Sequence, residues 1–445
     1  MNKKKILSIL ALPNLLFLFA PFAVSSVISE IVPVITLPVL LILLNFIFLS
    51  FILLKKGIVF REVEKKIILI FILPIIASTF NVIVTLLTEE SPFFADYASS
   101  HMFNRLFLVI ANITILLGLI RITSGKSYVQ KFTLIRKYYY GLIIMAFVGV
   151  WQFISYFTAI PFLNLETRSH IHSVAEGTTF LISTRLTSLS NEPSFLAPLM
   201  IDLMILSLLF AKKKNYQFII ALFVLIFSFS GGGYVNLFFL FLAFIWIYGK
   251  YKEIRIKKKY LLLGVFFALI FVLSAVSNLE FMNELFSPIL GRGAELYTTH
   301  SSRNWMIVRT FTRVLEGSFL NSLFGYGPNS ILFLRLTEAL PNGRMFHVTT
   351  NNIFADAVFE LGYFGFLMYL YFFWKLFSIS LNSLKNNKYK FVGCLMTVHL
   401  FLSSMYRGDY MTSRFWIIVF IIMTLGKIEI NVVEEEKLDS EVRKE

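Results

Sequence analysis

Residues 185 to 194, Arg185-Leu186-Thr187-Ser188-Leu189-Ser190-Asn191-Glu192-Pro193-Ser194, form a polar stretch that runs straight into an apolar segment. Pro193 suits the first turn of a helix, and Asn191 or Ser190 suits its cap. A guanidinium, a carboxylate and the free amides of a helix N-terminus therefore converge, an arrangement that can hold an anion. Two readings of Glu192 stand side by side. It is a general base or a clamp on Arg185, or it is a first-turn acid favoured by the helix dipole. A second group is Ser302-Arg303-Asn304-Trp305, followed eighteen residues on by Leu323-Phe324-Gly325-Tyr326-Gly327-Pro328. Gly325 and Gly327 permit either a plain turn or one that brings backbone close to a ligand. The third group runs from His347 through Thr350, Asn351 and Asn352 to Asp356, then to Glu360-Leu361-Gly362. Asp356 and Glu360, four apart, project from one helical face inside an apolar segment, where charge is costly and calls for an arginine partner or a function.

These groups must be positioned by segments suited to lipid. The 445-residue chain is 57% hydrophobic and 15% charged, and its mean hydropathy is +0.75, which predicts an all-α polytopic membrane protein. Apolar stretches near the roughly 20 residues that cross a bilayer occur at 6–26, 31–54, 67–88, 105–121, 138–160, 195–211, 217–232, 233–248, 260–277, 352–374, 391–406 and 414–426. That is about twelve spans, with ten to fourteen as the range. Two connections, 161–194 and 278–350, are too long to be mere linkers and are where function is expected. The larger contains Arg292, Arg303, Arg309, Arg313, Arg344 and His347.

The basic residues orient the chain. On the alternation these spans impose, all 25 lysines and five arginines fall on one side, and the other side carries eleven arginines and no lysine. The positive-inside tendency makes the lysine side cytoplasmic, with both termini and a charged tail at 427–445. A signal peptide with a small-residue site near Ala23 and Ser25 is the other reading of the start. Topology explains a cytoplasmic excess of charge but not the loss of lysine outside. A planar, permanently charged fork that grips phosphate oxygens in pairs suits an anionic, phosphorylated substrate handled on the outer face. The net charge of +15 is largely this topological signal, so nucleic acid is not implied.

Within the larger loop a helix is expected over 302–316, with Ile307, Val308, Phe311, Val314 and Leu315 on one face and Arg309, Arg313 and Glu316 on the other. It is suited to lie on the bilayer surface, arginines upward. The single Cys394 allows no internal disulfide, the six histidines show no metal-ligand spacing, and His399 reads as a buried helix contact. No internal or inverted repeat is evident.

Taken together, Arg185-x-x-Ser-x-x-x-Glu-Pro-Ser, the outer loop with Ser-Arg-x-x-Trp leading to Gly-Tyr-Gly, and Asn352-x-Phe-x-x-x-x-x-Glu-x-Gly resemble the Wzy-type repeat-unit polymerases and their relatives, the O-antigen ligases. The resemblance extends over most of the chain and is strongest at 185–366. It implies a GT-C-like helical bundle in a bacterial cytoplasmic membrane, and a metal-independent, inverting glycosyltransferase that needs no cofactor. The implied substrate is a polyprenyl-diphosphate-linked oligosaccharide, joined in the membrane lipid by a flippase and a chain-length regulator as partners. Glu192, Arg185 and Arg303 are then the catalytic candidates. Arg309, Arg313, Arg292, Arg344, His347, Asn352, Asp356, Glu360, Gly325 and Gly327 are the diphosphate- and substrate-binding candidates. Ligases of this superfamily carry a histidine immediately before the helix-entry asparagine, where this chain has Asn351, which favours polymerase over ligase. A lipid-linked oligosaccharide flippase or other exporter is the alternative from another class.

The topology is testable in intact cells. Single cysteines placed at His170 and Tyr297 should react with an impermeant maleimide, and cysteines at Lys213 and Lys257 should be protected. Protection at Tyr297 would contradict this arrangement.

Overall fold

The computed structural model describes residues 3–24, 37–58, 61–88, 95–162, 185–211, 215–250, 302–331, 350–382, 387–407 and 410–428. These residues form thirteen α-helices and no strand. In chain order the helices are α1 Lys3–Phe19, α2 Leu37–Lys56, α3 Glu62–Thr88, α4 Phe103–Thr123, α5 Tyr128–Ser155, α6 Pro193–Phe210, α7 Tyr216–Phe227, α8 Gly231–Lys250, α9 Ser302–Leu315, α10 Phe319–Phe324, α11 Ile353–Leu381, α12 Lys388–Ser404 and α13 Ser413–Gly426. Six stretches are long and apolar enough to cross a membrane: Glu62–Thr88, Tyr97–Thr123, Tyr128–Ser155, Pro193–Phe210, Gly231–Gly249 and Ile353–Leu381. Three shorter apolar helices accompany them. This is the architecture of a helical membrane protein. Eleven of the twelve expected apolar segments coincide with a helix; the twelfth, 260–277, lies outside the described residues.

The helices fit their sequences. α5 is capped by Ser127, whose hydroxyl accepts from the Gln130 amide, α12 by Asn387 and α13 by Thr412, all residue types that satisfy free N-terminal amides. α6 and α13 are apolar apart from one charged residue each, Asp202 and Arg414, and are mostly buried. Large side chains fill the middle of the bundle. Phe71 of α3 stacks on Tyr369 of α11 at 4.9 Å and meets the edge of Trp416 of α13 at the same distance.

One irregularity organises the region that carries the polar groups. α11 is broken at Gly362 (φ 69°, ψ −176°). A continuous helix would give the Phe359 and Glu360 carbonyls to the amides of residues 363 and 364. Here the amides of Tyr326 and Gly327 donate to them instead, at 3.0 and 2.9 Å, and the Ser78 hydroxyl adds a 2.6 Å bond to the Glu360 carbonyl. Asn81 of α3 fastens the inserted turn, donating to the Gly325 carbonyl at 2.8 Å and to Asn321 at 2.9 Å. The close approach needs glycine on both sides. A Cβ on Gly325 (φ 77°) would lie 2.4 Å from the Glu360 carbonyl, and one on Gly362 would lie 2.2 Å from the Leu323 oxygen.

The α9 expectation is met in extent and in part in facing. Met306, Thr310 and Val314 are its buried stripe, and Met306 and Val314 join a core cluster with Val358 and Phe359 of α11, while Val308 and Leu315 are 60% and 63% exposed. Val314 and Phe311 of the expected face do pack there, and the buried stripe is rotated toward Met306 and Thr310 because the broken α11 offers a protein surface in place of the bilayer.

Gly362→Ala should therefore cost more than the strain of a positive φ, itself about 1 to 3 kcal/mol. Gly57, also at φ +69° but with nothing within 4 Å of its Cβ position, is the control. Thermal unfolding in detergent should show Gly362→Ala well below Gly57→Ala. Equal melting temperatures would mean that the Gly325 turn is not held against the break.

Candidate functional site

Segment 185–190 is buried backbone woven between α5 and α7. Gln152 of α5 accepts from the Thr187 and Ser188 amides at 2.9 and 2.7 Å, and the Leu186 amide donates to the Phe227 carbonyl at 3.0 Å. Arg185 follows the same course. Its Nε donates to the Ser228 carbonyl at 3.1 Å and its Nη2 to the Phe229 carbonyl at 2.7 Å, so its fork closes the C-terminal end of α7. The side chain that the sequence assigned to an anion is thus engaged with helix-end carbonyls, which carry the partial negative charge a guanidinium seeks.

Glu192 is the N-cap of α6, in place of Asn191 or Ser190, and its side chain makes no cap bond. The carboxylate turns instead to Arg407, which follows α12. Glu192 Oε2 pairs with Arg407 Nη2 and accepts from the Ser194 hydroxyl at 2.9 Å. Arg407 donates from Nε to Ser194 Oγ at 3.0 Å and from Nη1 to Asn351 Oδ1 at 2.5 Å, and its Cζ lies 3.8 Å from the centre of the Phe195 ring. The guanidinium is 9% exposed and the carboxylate 37%, so the acid is the open member of the pair. Asn351 sits at φ +55°, and Asn352 caps α11 by accepting from the Phe354 and Ala355 amides at 3.0 and 3.2 Å. The N-terminal ends of α6 and α11 therefore meet at one arginine.

The other acids of α11 separate. Asp356 takes the Thr350 hydroxyl in the capping turn. Glu360 is fully buried, 3.5 Å from Arg105 Nη2 of α4, and accepts from the Tyr410 hydroxyl at 3.2 Å, while the Arg105 Cζ lies 4.8 Å from the Tyr410 ring centre. Tyr410 is three residues from Arg407, so the α12–α13 connection reaches both arginine–carboxylate pairs. On α9, Arg309 Nη2 and Arg313 Nη1 reach Glu316 Oε2 at 3.1 and 2.9 Å, and Arg309 first, then Arg313, holds that carboxyl down at about 2. Gly325 has the backbone of the broken helix as its close neighbour, whereas Gly327, whose amide donates to the Glu360 carbonyl, is pressed against the Val82 and Tyr97 side chains. The Arg303 side chain, Arg292, Arg344 and His347 lie outside the described residues. Among the described residues no three His, Cys, Asp or Glu side chains converge as metal ligands.

Four contributors escaped the sequence reading as individuals: Arg407, Arg105, Arg414 and Asp202. Asp202, the one acid within the apolar α6, was the available signal, since charge in such a segment needs a partner. It is buried and bonded to Arg414, His399 and Tyr138. A mostly apolar groove of about 420 Å³ opens between α8, α11 and α12, lined by Phe239, Leu370, Phe373, Trp374, Phe377, Val398, Phe401 and Leu402 with Thr397 as its one polar residue. Phe354, three residues from Asn351, lies 5.2 Å from the Phe401 ring and 5.6 Å from that of Phe373.

No protein-family model matches this sequence, and no curated protein is detectably similar to it. Function must therefore be argued from the residues.

Arg185→Lys should lower the melting temperature, because an ammonium cannot serve both α7 carbonyls along the plane of one fork. The scale is that of one charge-assisted hydrogen bond, about 1.5 to 3 kcal/mol. An unchanged melting temperature would show that the α7 end is held without it.

Proposed function

We propose that this protein polymerises polyprenyl-diphosphate-linked oligosaccharide repeat units on the outer face of the cytoplasmic membrane. The observation that carries the reading is the Glu192–Arg407 pair, a half-open carboxylate at a helix N-terminus held by a nearly buried guanidinium. The all-arginine face in the sequence and the resemblance to Wzy-type polymerases support it.

In the proposed reaction, the terminal hydroxyl of one lipid-linked unit attacks the anomeric carbon at the reducing end of a second chain. Its oxygen–carbon bond forms as the bond from that carbon to the diphosphate oxygen breaks, and polyprenyl diphosphate leaves. Glu192 receives the hydroxyl proton. Arg407 links the two events. As negative charge develops on the leaving oxygen, the guanidinium, already held in place, stabilises it. Arg105 of α4, stacked on Tyr410, supplies a second cation beside the same connection, and Arg309, Arg313 and Arg303 on α9 belong to the diphosphate approach. Asp356 and Glu360 position this frame, through Thr350 and Arg105 respectively. The apolar groove beside Phe354 suits a stretch of polyprenyl chain.

A second reading has one observation in its favour. The buried Asp202–His399–Arg414 group places charge in the bundle interior, as a lipid-linked oligosaccharide exporter would require. Gene deletion separates these. A missing polymerase should leave single repeat units on the lipid carrier outside, still transferable by a ligase, whereas a missing exporter traps them on the cytoplasmic leaflet. Long lipid-linked chains persisting in the deletion strain would overturn the polymerase reading.

Glu192→Gln and Arg407→Lys should each cut chain formation by at least the roughly tenfold that one charge-assisted bond is worth, with the protein still inserted. The reaction should proceed in EDTA. Wild-type polymer from both variants, or activity restored only by a divalent ion, would contradict the mechanism.

A further inference from the structure

The Asp202 cluster joins five helices and the α12–α13 connection. Asp202 Oδ2 accepts from Arg414 Nε at 2.9 Å and from the Tyr138 hydroxyl at 2.7 Å. Its Oδ1 lies 3.1 Å from His399 Nε2, which is also 3.1 Å from the Pro198 carbonyl. His399 Nδ1 lies 3.0 Å from the Asn236 amide nitrogen. Arg414 Nη2 also lies 3.1 Å from His399 Nε2. The chain of contacts then reaches Arg407, because Asn236 donates to the Tyr406 hydroxyl at 3.3 Å and Tyr406 directly precedes Arg407.

Stability alone gives a poor account of this cluster. Desolvating a carboxylate and a guanidinium costs several kcal/mol, and well-packed apolar side chains commonly do as well or better. What buried ion pairs are best attested to supply is a unique register. Here the register in question is that of the α12–α13 connection against α6. Glu192 caps α6 and Asp202 is its tenth residue, which places the two carboxylates about 15 Å apart along one rod. One holds Arg407 and the other holds Arg414, the two ends of the connection. Further bonds hold its middle: Asn112 donates to the Met411 carbonyl at 2.9 Å, and Trp416 to the Tyr410 carbonyl at 2.6 Å.

We propose that the Asp202–His399–Arg414 cluster is a positioning device for Arg407, acting through Asn236 and Tyr406 as well as through the connection itself. It holds the guanidinium against Glu192 before substrate arrives, so that no reorganisation is needed as leaving-group charge develops. The inference rests on reading Arg407 as the cation of the reacting site.

The test uses purified full-length protein and two variants. Tyr406→Phe removes only the hydroxyl link, and Asp202→Asn removes the charge at the centre. Two readouts are taken: the rate at which phenylglyoxal modifies Arg407, followed by mass spectrometry, and kcat and KM for chain formation from lipid-linked repeat units. Tyr406→Phe should raise the modification rate and lower kcat by roughly fivefold each, the scale of one hydrogen bond, with KM and melting temperature unchanged. Asp202→Asn should do the same more strongly; if it does not fold, Tyr406→Phe decides. Unaltered Arg407 reactivity in Tyr406→Phe, or a rise in KM at constant kcat, overturns the proposal. Wild-type protein that makes no polymer overturns the functional reading instead, and the reactivity of Arg407 then decides the positioning claim alone.

Discussion

A guanidinium enclosed among apolar helices must be given a counter-charge, and this requirement shapes one end of the described bundle. Arg407, Arg105 and Arg414 meet Glu192, Glu360 and Asp202 respectively. Each pair joins helices remote in sequence, and all three converge on the connection between α12 and α13. Desolvation makes an arginine without its acid far costlier than the pair is favourable, so the partners are obligatory even where they add little net stability. Rigidity follows from that asymmetry. A connection held at both ends and in the middle cannot drift, and a site built on it keeps its geometry without substrate.

The break in α11 works by the same logic applied to the backbone. Interrupting a helix among apolar neighbours leaves carbonyls that water cannot reach, and they must be supplied with donors. The turn 325–327 supplies them, which ties the segment carrying α9 and α10 to α11, four residues beyond Asp356 and beside Glu360. The polar ends of α6 and α11, the arginine helix α9 and the α12–α13 connection are thereby parts of one frame. Under the proposed function, a frame of this kind would present fixed charges to a diphosphate instead of recruiting mobile ones.

Much of the helical architecture was legible because hydrophobic length and breaker residues act locally. Pro193 marked the first turn of α6, although its cap is Glu192 and not Asn191 or Ser190, Asn352 marked the start of α11, and Glu360 was expected to meet an arginine, which proves to be Arg105. Pairing could not be read in the same way. Glu192 and Arg407 are 215 residues apart, Asp202 and Arg414 212, and nothing in local spacing links them. Arg185 shows the opposite difficulty. Its neighbours in sequence include Glu192, yet the chain between them is drawn into α5 and α7, so the side chain finds carbonyls at the end of α7. The two glycines of Gly-Tyr-Gly were read as allowing either a plain turn or a close approach, and the approach is that of Gly325 to a broken helix and of Gly327 to the Val82 and Tyr97 side chains. The facing of α9 depended on a surface that only the folded α11 creates.

Under the proposed function, the reaction is a single displacement at an anomeric carbon, with Glu192 on the attacking side and arginine on the departing side. The configuration of the bond formed reports on it most directly. Reconstituted protein should be given one chemically defined lipid-linked repeat unit, and the new linkage in the product determined by NMR. Inversion relative to the sugar–diphosphate bond of the donor is the predicted result. Retention would require a covalent sugar–enzyme intermediate and would contradict the account, as would a protein that consumes no lipid-linked unit at all.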